Sequence, residues 1–348
     1  MRSPGRSRLQ VADRAGLYSF RPGLDLRVTG NERALEHFEA EYRAVALGES
    51  RRAAVEIAFQ RRLPPEHDEL MVFGRHKTAS WAVRLPAPNA DPLRATIRVG
   101  GWPASFGLSL VQGYFVEPLL SIAAARTGHV LLPSAAIADG GGALLILGRS
   151  RSGKSSLSAR ALSSGRHVLG DDQILLDGSG RCWLFPRRLR FYSDLSRTAP
   201  EAFSRLALST RAGLRLRGLA RRLSRGYVSP PVRVAPSVLN SDVVLGPLEV
   251  ERVAIVERSR TTDHVARVRC DLESTVAYAL ELLDEQRVKL VMGGGAAWAG
   301  ALNEVRSREE LLLRQALAGV SAELLRVPAD WEAPRALDAL VELLETVA

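Results

Sequence analysis

One stretch of the chain holds the residue types that chemistry on a phosphate requires. Gly148-x-x-x-x-Gly153-Lys154-Ser155 follows an apolar run, Ala143 to Leu147, and 17 residues after Lys154 stand two adjacent carboxylates, Asp171 and Asp172. The first pattern is that of a Walker A phosphate loop. Glycines at Gly148 and Gly153 let the backbone curl, so that the N–H groups of Ser150, Arg151, Ser152 and Gly153 can point into one concavity. A helix starting near Gly153 turns its positive end to the same place. Lys154 adds a mobile point charge for the β- and γ-phosphates. The hydroxyl of Ser155, with Ser156 beside it, adds oxygen, the donor that Mg²⁺ prefers. A polar strand-to-helix turn would share some of these residues but would not need all of them. Arginine supplies 45 of the 48 basic residues, and the three lysines are Lys77, Lys154 and Lys289. Lysine inside the loop pattern therefore stands out against the usage of the chain.

The acidic pair narrows the chemistry. The interval after Lys154 leaves room for one helix, a terminating glycine at Gly165 and one short strand through Val168 and Leu169. The end of that strand can bring both carboxylates back to the phosphates. One carboxylate near Mg²⁺ could orient it directly or through water. The other could accept a proton from an attacking hydroxyl.

The elements that must hold these residues are legible in outline. Residues 1–16 are polar and Arg-rich and read as a mobile basic N-terminus. Residues 17–127 read as a strand-containing α+β lobe. It has a strand region over 17–29, a helix capped by Asn31 through about Ala46, and alternating runs at Val55-Ile57-Phe59, Trp81-Val83-Leu85 and Ile97-Val99. Residues 113–127 read as helical, with Pro118 setting a kink or boundary. Beyond residue 128 the pattern is that of an α/β nucleotide-binding domain extending to residue 348. "DGGG" from Asp139 is a hairpin turn before the apolar run, and Asp177 to Gly180 marks a second hairpin. Val253 to Val256 reads as strand, and Asp271 caps a helix through about Glu285. Gly293 to Gly295 reads as loop, and "SREE" from Ser307 as a capping box for another helix. "AELLRV" reads as a last strand, and the chain from about Pro334 as helix.

These features together resemble HPr kinase/phosphorylase and its stand-alone homologues, which share a nucleotide core with phosphoenolpyruvate carboxykinases. The resemblance rests on the loop, the 17-residue interval, "GRHVLGDD", the hairpin "AAIADGGGALLILG", "CWLFPRRLRF" and "VERVAIVER". It covers about residues 128–260 and is faint elsewhere. It implies a P-loop core with ATP and Mg²⁺ as cofactors and transfer of the γ-phosphoryl group to a hydroxyl, foremost a serine of a peptide or protein. Some homologues are tailoring kinases that phosphorylate a terminal serine of lasso-peptide precursors. Carried over by position, Gly148, Ser150, Gly153, Lys154 and Ser155 hold phosphate and metal, Asp171 is the general base, Asp172 lies nearer the metal with Ser155, and Lys154 completes the catalytic set. The family loop usually has glycine where Arg151 stands; arginine fits there if its backbone stays out of the left-handed region. Many members carry histidine where this chain reads Pro133-Ser134. The alternatives are a non-catalytic nucleotide-binding regulator or scaffold and a small-molecule kinase.

Composition bounds the partners. The net charge is +10, which favours an acidic or phosphorylated partner. Arg187, Arg188 and Arg190 could clamp phosphates. Residues 204–226 form an Arg-rich insertion with leucines at helical spacing, suited to an acidic leader peptide, a membrane surface or nucleic acid, or to a solvated helix face or lid. No nucleic-acid-reading module accompanies it, so no nucleic acid is expected. A homo-oligomer is compatible with the family. No signal peptide or membrane-length apolar run is evident. Two cysteines, Cys182 and Cys270, form no disulfide framework or zinc spacing. A cytoplasmic protein is the expectation.

Overall fold

The computed structural model describes residues 14–47, 52–63, 70–139, 141–225, 231–240, 242, 244 and 246–345. The chain divides into two compact units, Met1–Leu120 with Leu290–Trp298, and Ser121–Lys289 with Ala299–Ala348. Most of the expected mobile N-terminus, the Gly140 position of the first hairpin and the end of the Arg-rich insertion lie outside the described residues.

The first unit is built on a mixed six-stranded sheet. Its strands are β1 (Ala15–Arg21), β2 (Leu24–Thr29), β3 (Val55–Phe59), β4 (Met71–His76), β5 (Ala79–Arg84) and β6 (Leu93–Gly101), in the spatial order β1-β2-β3-β6-β5-β4. The 17–29 region is thus a hairpin, turning at Pro22-Gly23 where Gly23 has φ of 80°. Helix α1 (Glu32–Tyr42) makes the crossover from β2 to its parallel neighbour β3. It starts as expected at Asn31, whose Oδ1 accepts the Ala34 N–H at 3.0 Å. That bond satisfies one of the amides a helix start leaves open. Leu35, Phe38 and Tyr42 are buried, as their spacing requires. Val55, Ile57 and Phe59 face the same core, which is the period of two of a half-buried strand.

Helix α2 (Ala104–Val111) runs through one π-helical turn, Gln112–Val116, into α3 (Glu117–Arg126). Pro118 explains the break: it has no N–H to give to the ladder, and the wider turn just before it absorbs the mismatch. Contrary to the sequence expectation, Ala104–Arg126 is long and apolar enough to cross a membrane by length and composition. Most of it is buried inside the protein, as a core helix would be.

The second unit holds a nine-stranded mixed sheet and a separate two-stranded one. The large sheet comprises β7 (His129–Leu132), β8 (Ser134–Asp139), β9 (Gly142–Leu147), β10 (Val168–Gly170), β11 (Ile174–Asp177) and β12 (Arg181–Leu184). β13 (Leu189–Phe191) pairs instead with β14 (Val232–Val234), and β15 (Leu248–Ser259), β16 (Ala266–Cys270) and β17 (Ser321–Pro328) complete the large sheet. Its main path runs β10-β8-β9-β15-β12-β11-β7, and β17 lies parallel to β15. Helices α4 (Lys154–Ser163), α5 (Leu195–Thr198), α6 (Pro200–Arg205), α7 (Leu208–Leu223), α8 (Leu272–Ala316) and α9 (Ala333–Glu345) follow in chain order.

Strand β9 shows how the layers are filled. Every residue of it is buried. Leu144 and Ile146 join a core with Leu157 and Leu162 of α4 and Leu337 and Leu340 of α9. Leu145 and Leu147 point the other way, into a core with Val276, Leu280 and Leu283 of α8. A strand covered on both faces carries no polar alternation, which is why this one reads as a continuous apolar run.

Helix α8 is a hairpin. Gly295 has φ of 61° and ψ of −152°, outside helical geometry. The two arms then run antiparallel, since Asp284 pairs with Arg306 at 3.1 Å and Glu273 with Arg314. A straight helix would hold those partners tens of ångströms apart. Arg287 of the first arm is buried and bonds both carboxylate oxygens of Glu309 in the second arm, with Ser121 Oγ accepting at 2.6 Å. Of the glycines expected as a loop, only Gly295 leaves the helix. The expected capping box at Ser307 is also corrected: Ser307 sits inside the second arm, and its Oγ donates to the Asn303 carbonyl at 3.1 Å.

Candidate functional site

The site forms where β9 and β10 end. β10 is antiparallel to β8, and β8 is antiparallel to β9. β9 and β10 therefore point the same way, and both leave their carboxyl ends at one edge of the sheet. The end of β9 releases residues 148–153, and the end of β10 releases Asp171 and Asp172. β8 lies between the two strands.

The loop needs its glycines. A Cβ on Gly148 would lie 2.6 Å from Ser152 Oγ and 2.9 Å from the Val256 carbonyl oxygen. Gly153 has φ of 111°, which L side chains rarely adopt, and it precedes the first turn of α4. Among the described residues no side chain caps that turn, so its amides face outward with the positive end of the helix. Ser150 and Arg151 are exposed at the loop tip, while Ser152 is buried and its Oγ has no hydrogen-bond partner among the described residues.

Arg151 departs from expectation. Its φ is 72°, in the left-handed region that its fit to the loop was expected to avoid. Glycine takes that conformation freely, whereas a residue with a Cβ is held there at a cost of about 1–2 kcal/mol. Arg149, which the sequence reading did not single out, anchors the loop instead. Its guanidinium donates to Glu285 Oε1 at 2.7 Å and Glu281 Oε2 at 3.1 Å on α8.

Lys154 folds back on the loop, donating to the carbonyls of Gly148 and Arg149. Burial lowers its pKa, and the charges of Asp172 and Asp171 oppose that shift. Ser156 points elsewhere, its Oγ reaching Thr198 Oγ1 at 3.4 Å. Lys154, Ser155, Asp171 and Asp172 are thus brought together, and Ser156 is not.

The two carboxylates differ sharply. Asp171 is 6% exposed, and its Oδ1 has no hydrogen-bond partner among the described residues. Burial, reinforced by the neighbouring Asp172 charge, pushes its pKa up to about 7. The hydroxyls of Ser155 and Ser158 and the Lys154 charge pull the other way. Asp172 is more open, with its side chain 33% exposed, and stands at ion-pair distance from Arg187 (3.6 Å) and Arg190 (3.8 Å). Arg187 and Arg190 thereby join the site through Asp172.

Tyr192 was not foreseen. Burial and the Asp172 charge raise its pKa, while Arg151 and Arg221 lower it. Its only sequence signal is its place one residue past the buried Phe191. Among the described residues no group of three or more His, Cys, Asp or Glu could hold a metal. The oxygen donors that do converge, from Ser155 and the acidic pair, suit a hard cation that takes its other ligands from phosphate and water.

The sequence matches no known protein-family model and no curated protein. The fold is mixed α/β, and its chemistry must be argued from the site itself.

Proposed function

We propose that the second unit is a P-loop kinase core that transfers the γ-phosphoryl group of ATP to a hydroxyl, foremost a serine of a peptide or protein. The observation that carries this reading is the convergence at one sheet edge of an uncapped helix N-terminus, Lys154 and two carboxylates in unlike environments. Anion-binding groups and a proton acceptor within one small site are what phosphoryl transfer asks of a protein.

In this reading the amides of residues 150–153 and the Lys154 ammonium bind the β- and γ-phosphates, trading the Gly148 and Arg149 carbonyls for phosphate oxygens. Mg²⁺ fits the oxygen donors of Ser155 and Asp172, and when bound it would offset phosphate charge. Asp171 takes the acceptor's hydroxyl proton. The acceptor oxygen forms a bond to phosphorus as the bond to the β-phosphate oxygen breaks, and ADP leaves. A base with a pKa near 7 is half ready at neutral pH and still a useful acceptor. Arg187 and Arg190 hold Asp172 in place and extend positive charge toward the phosphates.

The left-handed Arg151 favours a second reading, a nucleotide-binding regulator without turnover. One experiment separates the two: ATP consumption with Mg²⁺ and serine-bearing peptides, in the wild type and in Asp171→Asn. Peptide-stimulated consumption that vanishes in the variant supports the kinase. A variant that turns over at the wild-type rate overturns the role given to Asp171, and saturable ATP binding without turnover supports the regulator.

A further inference from the structure

Helix α7 has two apolar sides, and only one of them belongs to the core. Leu214 is 1% exposed and packs inward. Leu208, Leu216, Leu219 and Leu223 are 76%, 67%, 54% and 78% exposed. At about 100° per residue these four and Ala212 fall in one stripe, and the helix rise makes it about 22 Å long. Scattered exposed leucines are ordinary, but a continuous row along one helix marks a contact surface. Folding does not require it, since Leu214 already anchors the helix.

The charge beside the stripe is all of one sign. By the same rotation, Arg211, Arg215 and Arg222 run along one edge. From Ala202 to Ser241 the chain has no Asp or Glu. Among the described residues no carboxylate pairs with Arg215, Arg221 or Arg222, in contrast to Arg160, which meets Asp338 at 2.8 Å. The inner side of the helix adjoins the candidate site. A Cβ on Gly218 would stand 3.1 Å from the Ser193 Cβ, and Arg221 acts on Tyr192, which also feels Asp172.

We propose that the outer face of α7 is a docking surface for an acidic amphipathic segment of the acceptor chain, apolar side chains seating on the leucine stripe and carboxylates on the arginine edge. Guanidinium groups match carboxylates in a two-pronged geometry, which gives direction as well as attraction. A basic amphipathic helix could also lie on an anionic bilayer. One observation favours a peptide: the inner side of α7 reaches Ser193, the residue after Tyr192, so a chain held on α7 lies beside the candidate site. Only the partner's identity as acceptor rests on the phosphotransfer reading; docking itself needs no nucleotide.

The test uses the full chain without ATP and a fluorescent peptide as long as α7, with leucines on one face and glutamates on the others. Its lysine counterpart and phosphatidylserine vesicles serve as competing probes. The acidic peptide is expected to bind saturably and at least about tenfold more tightly than the lysine peptide. Leu219→Glu with Leu223→Glu is expected to lose about tenfold, and Arg215→Glu with Arg222→Glu to reverse the peptide preference. Leu219, Leu223 and Arg222 are exposed and Arg215 lies over the Phe203 ring at 5.9 Å, so an unchanged thermal midpoint is the check that each variant keeps its fold. Absence of peptide binding, tighter binding to vesicles, or a self-associated chain dispersed by the leucine variants would each overturn the proposal. Lys154→Ala is expected to leave peptide affinity unchanged. Peptide docking without phosphoryl transfer would overturn the phosphotransfer reading alone, and transfer to serine peptides without docking would overturn the docking surface alone.

Discussion

Gly148 and Ser152 approach so closely that a Cβ on Gly148 would lie 2.6 Å from the Ser152 hydroxyl oxygen. Serine could rotate away, but the Val256 carbonyl oxygen, 2.9 Å from the same point, is backbone and cannot. Gly148→Ala is therefore expected to push the loop off β9. Thermal unfolding should show a loss of about 1–3 kcal/mol, with a larger relative loss of ATP affinity. An alanine variant with unchanged affinity would remove the glycine from the argument.

Asp171 makes a stability claim as well as a chemical one. Its pKa rises from 3.8 to about 7 in the folded chain, so the folded state holds the proton more tightly. The associated stability is fully present below about pH 3.8 and is lost as pH rises through about 7. Asp171→Asn removes the buried charge. Near pH 8 the variant should be more stable than the wild type by about 1–3 kcal/mol, and near pH 4 the gap should close. Equal stability of the two proteins across that range would show that Asp171 is not held as described.

The same group sets a pH dependence for the reaction. As the proton acceptor in the proposed transfer, Asp171 must be ionised, so kcat/KM, which reads the nucleotide-free protein, should climb through about pH 7 and then level off. A rate that stays flat across neutral pH would move the base elsewhere. The open carboxylate Asp172, beside Arg187 and Arg190, would be the next group to examine.

Arg151 carries its Cβ at a φ of 72°. Arg151→Gly should relieve that conformation, and Arg151→Val should worsen it, because a β-branched side chain fits the left-handed region least. The valine variant is expected to be less stable than the glycine variant by about 1–2 kcal/mol, read from denaturant midpoints. No difference between them would mean that the loop is not held in that conformation.

Local signals read well from the sequence, and long-range ones did not. The Asn31 cap, the hairpin into β9, the span of α4 up to Gly165 and the β17 strand all follow from side-chain chemistry within a few residues. The Gly293–Gly295 run read as loop because glycine favours no helix. In the structure Gly293 and Gly294 stay helical, and a Cβ on Gly293 would meet Val72 while one on Gly294 would meet Trp298. Their smallness serves packing. The cap expected at Ser307 failed because the second arm of α8 had already started after Gly295. That Lys154 and the acidic pair lie close in space was legible because one strand-helix-strand unit holds them all. Arg149, bonded to acids 132 and 136 residues away, was not, and neither was Tyr192.

The most direct measurement is calorimetric titration of Mg²⁺ and ATP into the wild type and Lys154→Ala. One saturable site is expected in the wild type and a loss of about tenfold or more in the variant, the size of a charged hydrogen bond to phosphate. Binding that is absent in the wild type, or equal in both proteins, would contradict the phosphate-loop reading.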